Sequence, residues 1–345
     1  MSFALGQSTL SVSNRLPAPK GFGPCAVLIY DRKLVRLVPG FKAWASRFPA
    51  SWPVTAGERL KSVRNFPSAV ERLAKIAGGW PPRETVIVAV GGGSVGDFAG
   101  FLASVFKRGV RLQHLPSTWL SALDSAHGGK TALNVGGFKN QIGTFYAAER
   151  TLLCRPLLGG QPRARAREAT GELAKIALID GGAWARRLKV REGREGEAIW
   201  KALSPAIEAK LRIVRRDPRE TSGGRQVLNL GHTFGHVLES ELGLAHGDAV
   251  AHGLDFALAW SAHRRLLSQP AFEDLRSFHR EGMFFRSPPP PPLSERKLRA
   301  ALSQDKKRER SGIVFIFVRG WGRTERVTVT IDEIVAEARR QGRVR

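Results

Sequence analysis

The tightest constraint on the fold lies at residues 85–106, TVIVAVGGGSVGDFAGFLASVF. A β-branched apolar run gives way to a glycine cluster and then to helical periodicity, the signature of a strand–turn–helix unit. CAVLIYD (25–31) reads as another buried strand, ending in the carboxylate Asp31, and RLQHLPST (111–118) as a third feeding a loop. Alternating strands and helices predict an α/β domain with a parallel sheet. Beyond about residue 161 the texture changes. GELAKIALI, GEAIWKALSPAIEAKLRIVRR, NLGHTFGHVLESEL and GDAVAHGLDFALAWSAHRRLL all carry helical spacing. The expected division is therefore 1–161, an α/β domain, and 162–345, a mainly α-helical domain. Within the second, GIVFIFVRGWGRTERVTVT (312–330) predicts a hairpin before a final helix, and Pro288–Pro292 a stiff connector.

Several function classes fall away early. No apolar run reaches the roughly 18–20 residues that cross a bilayer, and the N-terminus lacks the pattern of a secretory signal. The two cysteines, Cys25 and Cys154, have no metal-ligand spacing. A reducing cytoplasm is the expected compartment, with no disulfide framework and no membrane partner. The formal charge of +25 favours anionic ligands. The excess is spread along the chain, as in RARARE (163–168) and the tail RRQGRVR, without interleaved aromatics. That is a solvated basic surface rather than a nucleic-acid interface.

GGGSVGD (91–97) follows a strand and opens a helix, where backbone N–H groups and the helix N-terminus favour a phosphate. Gly91, Gly93 and Gly96 satisfy the spacing of a dinucleotide turn, but Asp97 follows at once. A plain tight turn under a closely packed helix would look similar. The next loop, 116–145, holds Asp124, Lys130, Lys139 and Asn140 among glycines and hydroxyls. A lysine after two glycines is well placed to aim an ammonium at an anion.

Five of the eight histidines fall between 232 and 263. His232 and His236 share a helix face by their i, i+4 spacing, and His246 follows in AHGDAV. Glu172 opens GELAKIAL, with Lys175 one turn on. Imidazole and carboxylate are ordinary zinc ligands, and catalytic zinc usually takes three protein ligands. Spacing alone leaves open which three of these groups bind a metal.

Taken together and in order, GERLK, GGGSVGDFAGF, KRGVRLQHLPST, DSAHGGKTALN, KNQIGTF, GELAKIA, RQVLNLGHTFGH, HGDAVAHG and DKK resemble the 3-dehydroquinate synthase family of sugar-phosphate cyclases, over about residues 57–320. The resemblance implies a Rossmann-like N-terminal domain, a mainly helical C-terminal domain, NAD and zinc (or cobalt), and a homodimer. It implies conversion of 3-deoxy-arabino-heptulosonate 7-phosphate to 3-dehydroquinate by oxidation, phosphate elimination, reduction and aldol closure, with NAD regenerated. It assigns the metal to Glu172, His232 and His246, and proton relay to His236, with Gly231 and Gly235 leaving room for substrate. For the phosphorylated seven-carbon keto acid it assigns Lys130, Asn140, Lys210, Arg225, Asn229, Asp124 and Lys306 or Lys307. Arg225 and Lys210 suit the carboxylate, and Arg108 reaches the neighbouring subunit's phosphate. For the dinucleotide it assigns Glu58, Lys61, Gly92, Gly93, Asp97, Ser117, Thr118, Asp124 and Lys139, with Asp31 on the ribose.

The chain departs from the family pattern at four places. Ser117 stands for a threonine, and His127 for an aliphatic residue. Asp248 stands for a glutamate, where a shorter side chain is expected to misplace a hydrogen bond to the zinc ligand. Asp217-Pro218 replaces an acidic pair before a longer loop to Arg225. Two other enzyme readings are a cyclase with another sugar phosphate and a metal-dependent polyol dehydrogenase, since GGGSVGD also resembles the latter. The first tends to lose the carboxylate-binding Lys210 and Arg225, and the second has no need of a phosphate and carboxylate clamp.

Overall fold

The computed structural model describes residues 8–283, 285, 287–303, 308–309 and 312–345. The chain divides into two compact units, Met1–Arg165 and Ala166–Arg345.

Among its described residues the first unit has eight strands: β1 (Thr9–Ser13), β2 (Ala26–Asp31), β3 (Ala50–Val54), β4 (Val86–Gly91), β5 (Arg111–Pro116), β6 (Lys130–Val135), β7 (Phe138–Phe145) and β8 (Arg150–Cys154). Six of them form one sheet in the order β1-β8-β5-β4-β2-β3, and every pairing in it is parallel. β6 and β7 form a separate antiparallel hairpin. The central strands are apolar throughout because both sheet faces are covered. Val27, Ile29, Ile87 and Ala89 pack with Leu73 of helix α1 (Phe66–Ala77) and Phe98 and Leu102 of helix α2 (Gly93–Val105). The alternate residues Leu28, Val86, Val88 and Val90 pack on the other face with Phe41 and Trp44. Cys25 and Cys154 are buried free thiols.

Since the sheet is parallel, the carboxyl ends of its strands share one edge. Asp31 ends β2 beside Gly91 at the end of β4, because Tyr30 pairs with Val90. Ser117 N–H, just past β5, donates to the Gly91 carbonyl at 2.9 Å. Ligands of open α/β sheets bind at this edge.

The second unit is mainly helical: α3 (Arg163–Asp180, its first turn at the end of the first unit), α4 (Glu195–Arg216), α5 (His232–Leu242), α6 (His246–His263), α7 (Gln269–Ser277), α8 (Glu295–Ser303) and α9 (Ile331–Arg340). β9 (Arg308–Glu309), β10 (Gly312–Gly320) and β11 (Arg323–Val329) form an antiparallel sheet. α9 starts at a reciprocal cap between Thr330 and Glu333. Among the described residues no helix is long and apolar enough to cross a membrane.

The expected helix over the GHTFGH stretch begins only at His232. Asn229 ends a 3₁₀ stretch, Gly224–Asn229, and Gly231 adopts a left-handed φ of 78° at the helix start. A residue other than glycine would be strained there.

Candidate metal centre and nucleotide edge

Close backbone packing of α3, α5 and α6 brings the metal candidates together. A Cβ on Gly247 would lie 1.5 Å from the Glu168 carbonyl oxygen, and one on Gly171 would lie 2.1 Å from that of Gly247. A Cβ on Gly253 would lie 1.8 Å from the Gly231 oxygen, and one on Gly235 would lie 2.9 Å from that of Ala249. These are backbone-to-backbone contacts that no rotamer change relieves. Gly231 and Gly235 therefore seat α5 against α6, which corrects the expectation that they make room for substrate.

The result is a compact donor set. Glu172 Oε1 lies 3.1 Å from His232 Nε2 and 3.3 Å from His246 Nε2, and the three ligand atoms all fall within 4.8 Å of one another. Each ring is oriented from behind. His232 Nδ1 lies 3.2 Å from the Leu230 carbonyl and His246 Nδ1 2.9 Å from Glu239 Oε2. An N–H on Nδ1 donates to each of these acceptors and leaves the Nε2 lone pair facing Glu172. The second oxygen of Glu172 meets Lys175 Nζ at 2.5 Å.

Burial would raise the fully buried Glu172 carboxyl, but Lys175 and the two imidazoles hold it well below the usual range. Burial likewise opposes charge on His246, yet hydrogen bonds to Glu172 and Glu239 push it up to about 10. The centre favours positive charge between these groups. Two imidazole nitrogens and one carboxylate oxygen fit a divalent ion of the zinc or cobalt kind.

His236 is exposed one turn along α5, its ring centroid 5.2 Å from that of His232. His236, Glu239 and His246 form a second group able to hold a metal. Glu239 was not singled out in the sequence, although it lies three residues after His236 on the same helix face. It is Glu239 that meets the back of His246, while Asp248 sits near Arg167 and Glu168.

Lys210 and Arg225 are buried, and Asn229 is partly exposed. Asp217 accepts backbone hydrogen bonds from Thr221, Ser222 and Arg225, so the replaced acidic pair retains a structural carboxylate. Lys306 and Lys307 lie outside the described residues.

In the first unit, Gly92 precedes α2 and a Cβ there would approach Thr118 Cγ2 to 3.1 Å; one on Gly93 would meet Ser125 Oγ at 3.3 Å. Thr118 caps the short helix Trp119–Leu123 through Ser121 N–H. Lys61 Nζ pairs with Asp97 Oδ2 at 2.7 Å and donates to Asn140 Oδ1 at 2.5 Å. Asn134 donates to Glu58 Oε2 at 2.7 Å and accepts from Asn140 N–H at 2.9 Å. Glu58, Lys61, Asp97 and Asn140 thus form one network, although Asn140 was expected with substrate and the others with the dinucleotide. Burial raises the Asp97 carboxyl against the pull of Lys61.

Asp124 is partly exposed, and Lys130 and Lys139 are exposed. Lys130 lies on β6 with Nζ 6.0 Å from the Phe145 ring centre. His127 is buried with Nε2 2.8 Å from the Ala122 carbonyl, so the intruding polar group is satisfied locally. Arg108 lies away from the glycine turn. It is exposed, at φ 64°, between α2 and the amino end of β5. The length of α2 separates it from the glycine turn by roughly 20 Å at 1.5 Å per residue.

Residues 51–168 match the model for the 3-dehydroquinate synthase N-terminal domain, and residues 169–308 match that for the C-terminal domain. The 3-dehydroquinate synthase of Zymomonas mobilis is 34% identical over 298 residues, 81% of this chain and 76% of that protein. That of Cereibacter sphaeroides is 38% identical over 277 residues, 77% and 74% of the two chains. Among solved structures, a 2-deoxy-scyllo-inosose synthase complexed with carbaglucose-6-phosphate, NAD+ and Co2+ superposes with a TM-score of 0.81 at 21% identity, covering 99% of this chain and 100% of that one. The 2-epi-5-epi-valiolone synthase of Streptomyces hygroscopicus, with NAD+ and Zn2+ bound, gives 0.80 at 23% identity over 96% of each chain. At these identities the structures show a shared fold. The two matched domain models and the sequence relatives show that the chain belongs to the 3-dehydroquinate synthase family.

Proposed function

We propose that the protein is a 3-dehydroquinate synthase, acting on 3-deoxy-arabino-heptulosonate 7-phosphate with NAD and zinc. The observation that carries this reading is the Glu172–His232–His246 donor set in a chain whose residues 51–308 match both halves of the family.

The division of labour follows the two units. The edge bearing Asp31, Gly92, Gly93, Ser117 and Thr118 takes the dinucleotide, with backbone N–H groups of the helix start facing phosphate. Asp124, after the short helix Trp119–Leu123, and Lys139, on β7, are assigned to it as well, and the Glu58–Lys61–Asp97 network ties down the β6–β7 hairpin through Asn134 and Asn140. Glu172, His232 and His246 hold the divalent ion. When bound, the ion would supply Lewis acidity toward a substrate oxygen and the nicotinamide a reversible hydride acceptor.

The chain's own residues bind charge and move protons. Lys130, Asn140 and either Lys306 or Lys307 are assigned to the phosphate end, and Lys210 and Arg225 to the carboxylate. A planar guanidinium fork suits a carboxylate. Asn229 donates from its amide to a substrate oxygen. His236, exposed one turn from His232, is assigned the proton relay. Arg108 stands at the other end of the sheet, which suits a contact with a second copy and therefore a homodimer. We place the enzyme in the cytoplasm, with its positive charge drawing in anionic substrate rather than nucleic acid.

The test is a phosphate-release assay with purified protein, the heptulosonate phosphate, NAD+ and zinc. Product without net NADH supports the cyclase. Net NADH from a simple polyol supports the dehydrogenase instead.

A further inference from the structure

We infer that Asp217 is a positioning residue for recognition of the substrate carboxylate, because its side chain fixes the backbone of Arg225 relative to the helix that carries Lys210. This deepens the proposed function and rests on it.

Lys210 is buried on α4, and Asp217 closes that helix with its N–H on the Ile213 carbonyl. The two are seven residues apart, on one helix face. Pro218 disfavours helical geometry at the residue before it, and Asp217 takes φ −143° and ψ 68°. The chain then turns sharply, with Glu220 at φ 58° and its N–H 3.2 Å from the Asp217 carbonyl.

The side chain of Asp217, 2% exposed, organises the loop that leads to Arg225. Oδ1 accepts from Thr221 N–H at 2.9 Å and Ser222 N–H at 3.2 Å, and Oδ2 accepts from Arg225 N–H at 3.1 Å. Arg225 Nη1 in turn donates to the Pro218 carbonyl at 3.0 Å. The loop is thus tied to the end of α4 from both the backbone and the side chain of Arg225. Three backbone donors hold the Asp217 carboxyl down to about 2, so it stays ionised at any working pH.

The proline before Arg225 is compatible with this geometry. Pro218 contributes the acceptor that Arg225 uses and lacks a donor that would need a partner. An asparagine at 217 keeps one carbonyl oxygen but presents an amide N–H₂ where the carboxylate faces a backbone N–H. A fixed arginine that shifts by about 1 Å can cost up to about 100-fold.

The test uses full-length wild type, Asp217→Asn, Asp217→Ala, Arg225→Ala and the Asp217→Asn/Arg225→Ala double variant. The expected result for Asp217→Asn is a KM for heptulosonate phosphate raised by roughly 10-fold or more, with kcat within a few-fold of wild type. Zinc stoichiometry, NAD+ affinity and inorganic phosphate affinity stay unchanged, while 3-dehydroquinate binds more weakly. In the Arg225→Ala background the Asp217→Asn change adds little further loss, since coupled sites are non-additive. Asp217→Ala gives a larger effect of the same kind; if it fails to fold, Asp217→Asn still decides. Unchanged KM, or fully additive losses in the double variant, overturns the inference and leaves the function standing. Wild-type protein that releases no phosphate overturns both.

Discussion

The Nε2 atom of His232 lies 3.1 Å from Oε1 of Glu172, although the two residues stand on different helices. The contact exists because glycines on α3, α5 and α6 let the helix backbones touch. Replacing His232 with alanine removes one of the three proposed ligands and is expected to leave zinc substoichiometric and phosphate release undetectable. Replacing His236 is expected to keep zinc at one per chain and slow turnover by roughly 10²–10⁴-fold. Metal analysis alongside kinetics separates the two, and loss of zinc in His236→Ala would contradict the roles assigned here.

Glu239 holds the far nitrogen of His246 at 2.9 Å. Outer partners of this kind typically contribute about 10–100-fold in metal affinity. Chelator competition on Glu239→Ala should show a loss in that range with stoichiometric zinc at saturation. An unchanged affinity would remove Glu239 from the account.

The helix contact itself can be probed at Gly247. An alanine Cβ there would sit 1.5 Å from the Glu168 carbonyl oxygen. Overpacking of this sort costs about 1–3 kcal/mol, or more where backbone cannot yield. Gly247→Ala is expected to lower the urea midpoint and to weaken zinc binding together. A variant as stable as wild type would mean that the helices have slack.

Acid should destabilise the fold before carboxylates matter. Burial lowers His114 to about 4, and burial, helped by Arg343, Arg280 and His279 against Asp255, lowers His252 to about 4. The unfolded chain takes up those protons near the ordinary value of 6.5. Between about 6.5 and 4 these two rings bind more protons in the unfolded chain than in the folded one, so the stability they contribute falls as pH drops through that window. Asp217, held down to about 2, contributes stability that persists above its ordinary carboxylate range and is lost as pH falls toward 2. Urea unfolding at pH 7.5, 5.5 and 4.5 should give decreasing midpoints, and His114→Gln should flatten part of the slope. Constant midpoints would contradict neutral burial of these rings.

Much of the first unit was legible because a parallel sheet needs continuous apolar strands, and 26–31 and 86–91 are such runs. The glycine turn was legible as a local motif. Less visible were effects that arise only when helices meet. Gly231 and Gly235 look like space for a ligand in a linear sequence, but three-dimensional packing makes them seats for α6. Asp248 looks like the natural neighbour of His246 by proximity in sequence, yet Glu239 reaches it from α5. Asp217 reads as a departure until its carboxylate is seen to collect three backbone donors. Arg108 enters only through the family resemblance.

The most direct measurement is the position of a bound ion. Crystals grown with zinc, with anomalous data collected at its absorption edge, should show one peak about 2.0–2.2 Å from Glu172 Oε1, His232 Nε2 and His246 Nε2. A peak instead among His236, Glu239 and His246, the other group able to hold a metal, would contradict the account. It would make His236 a ligand and leave the proton relay without its residue.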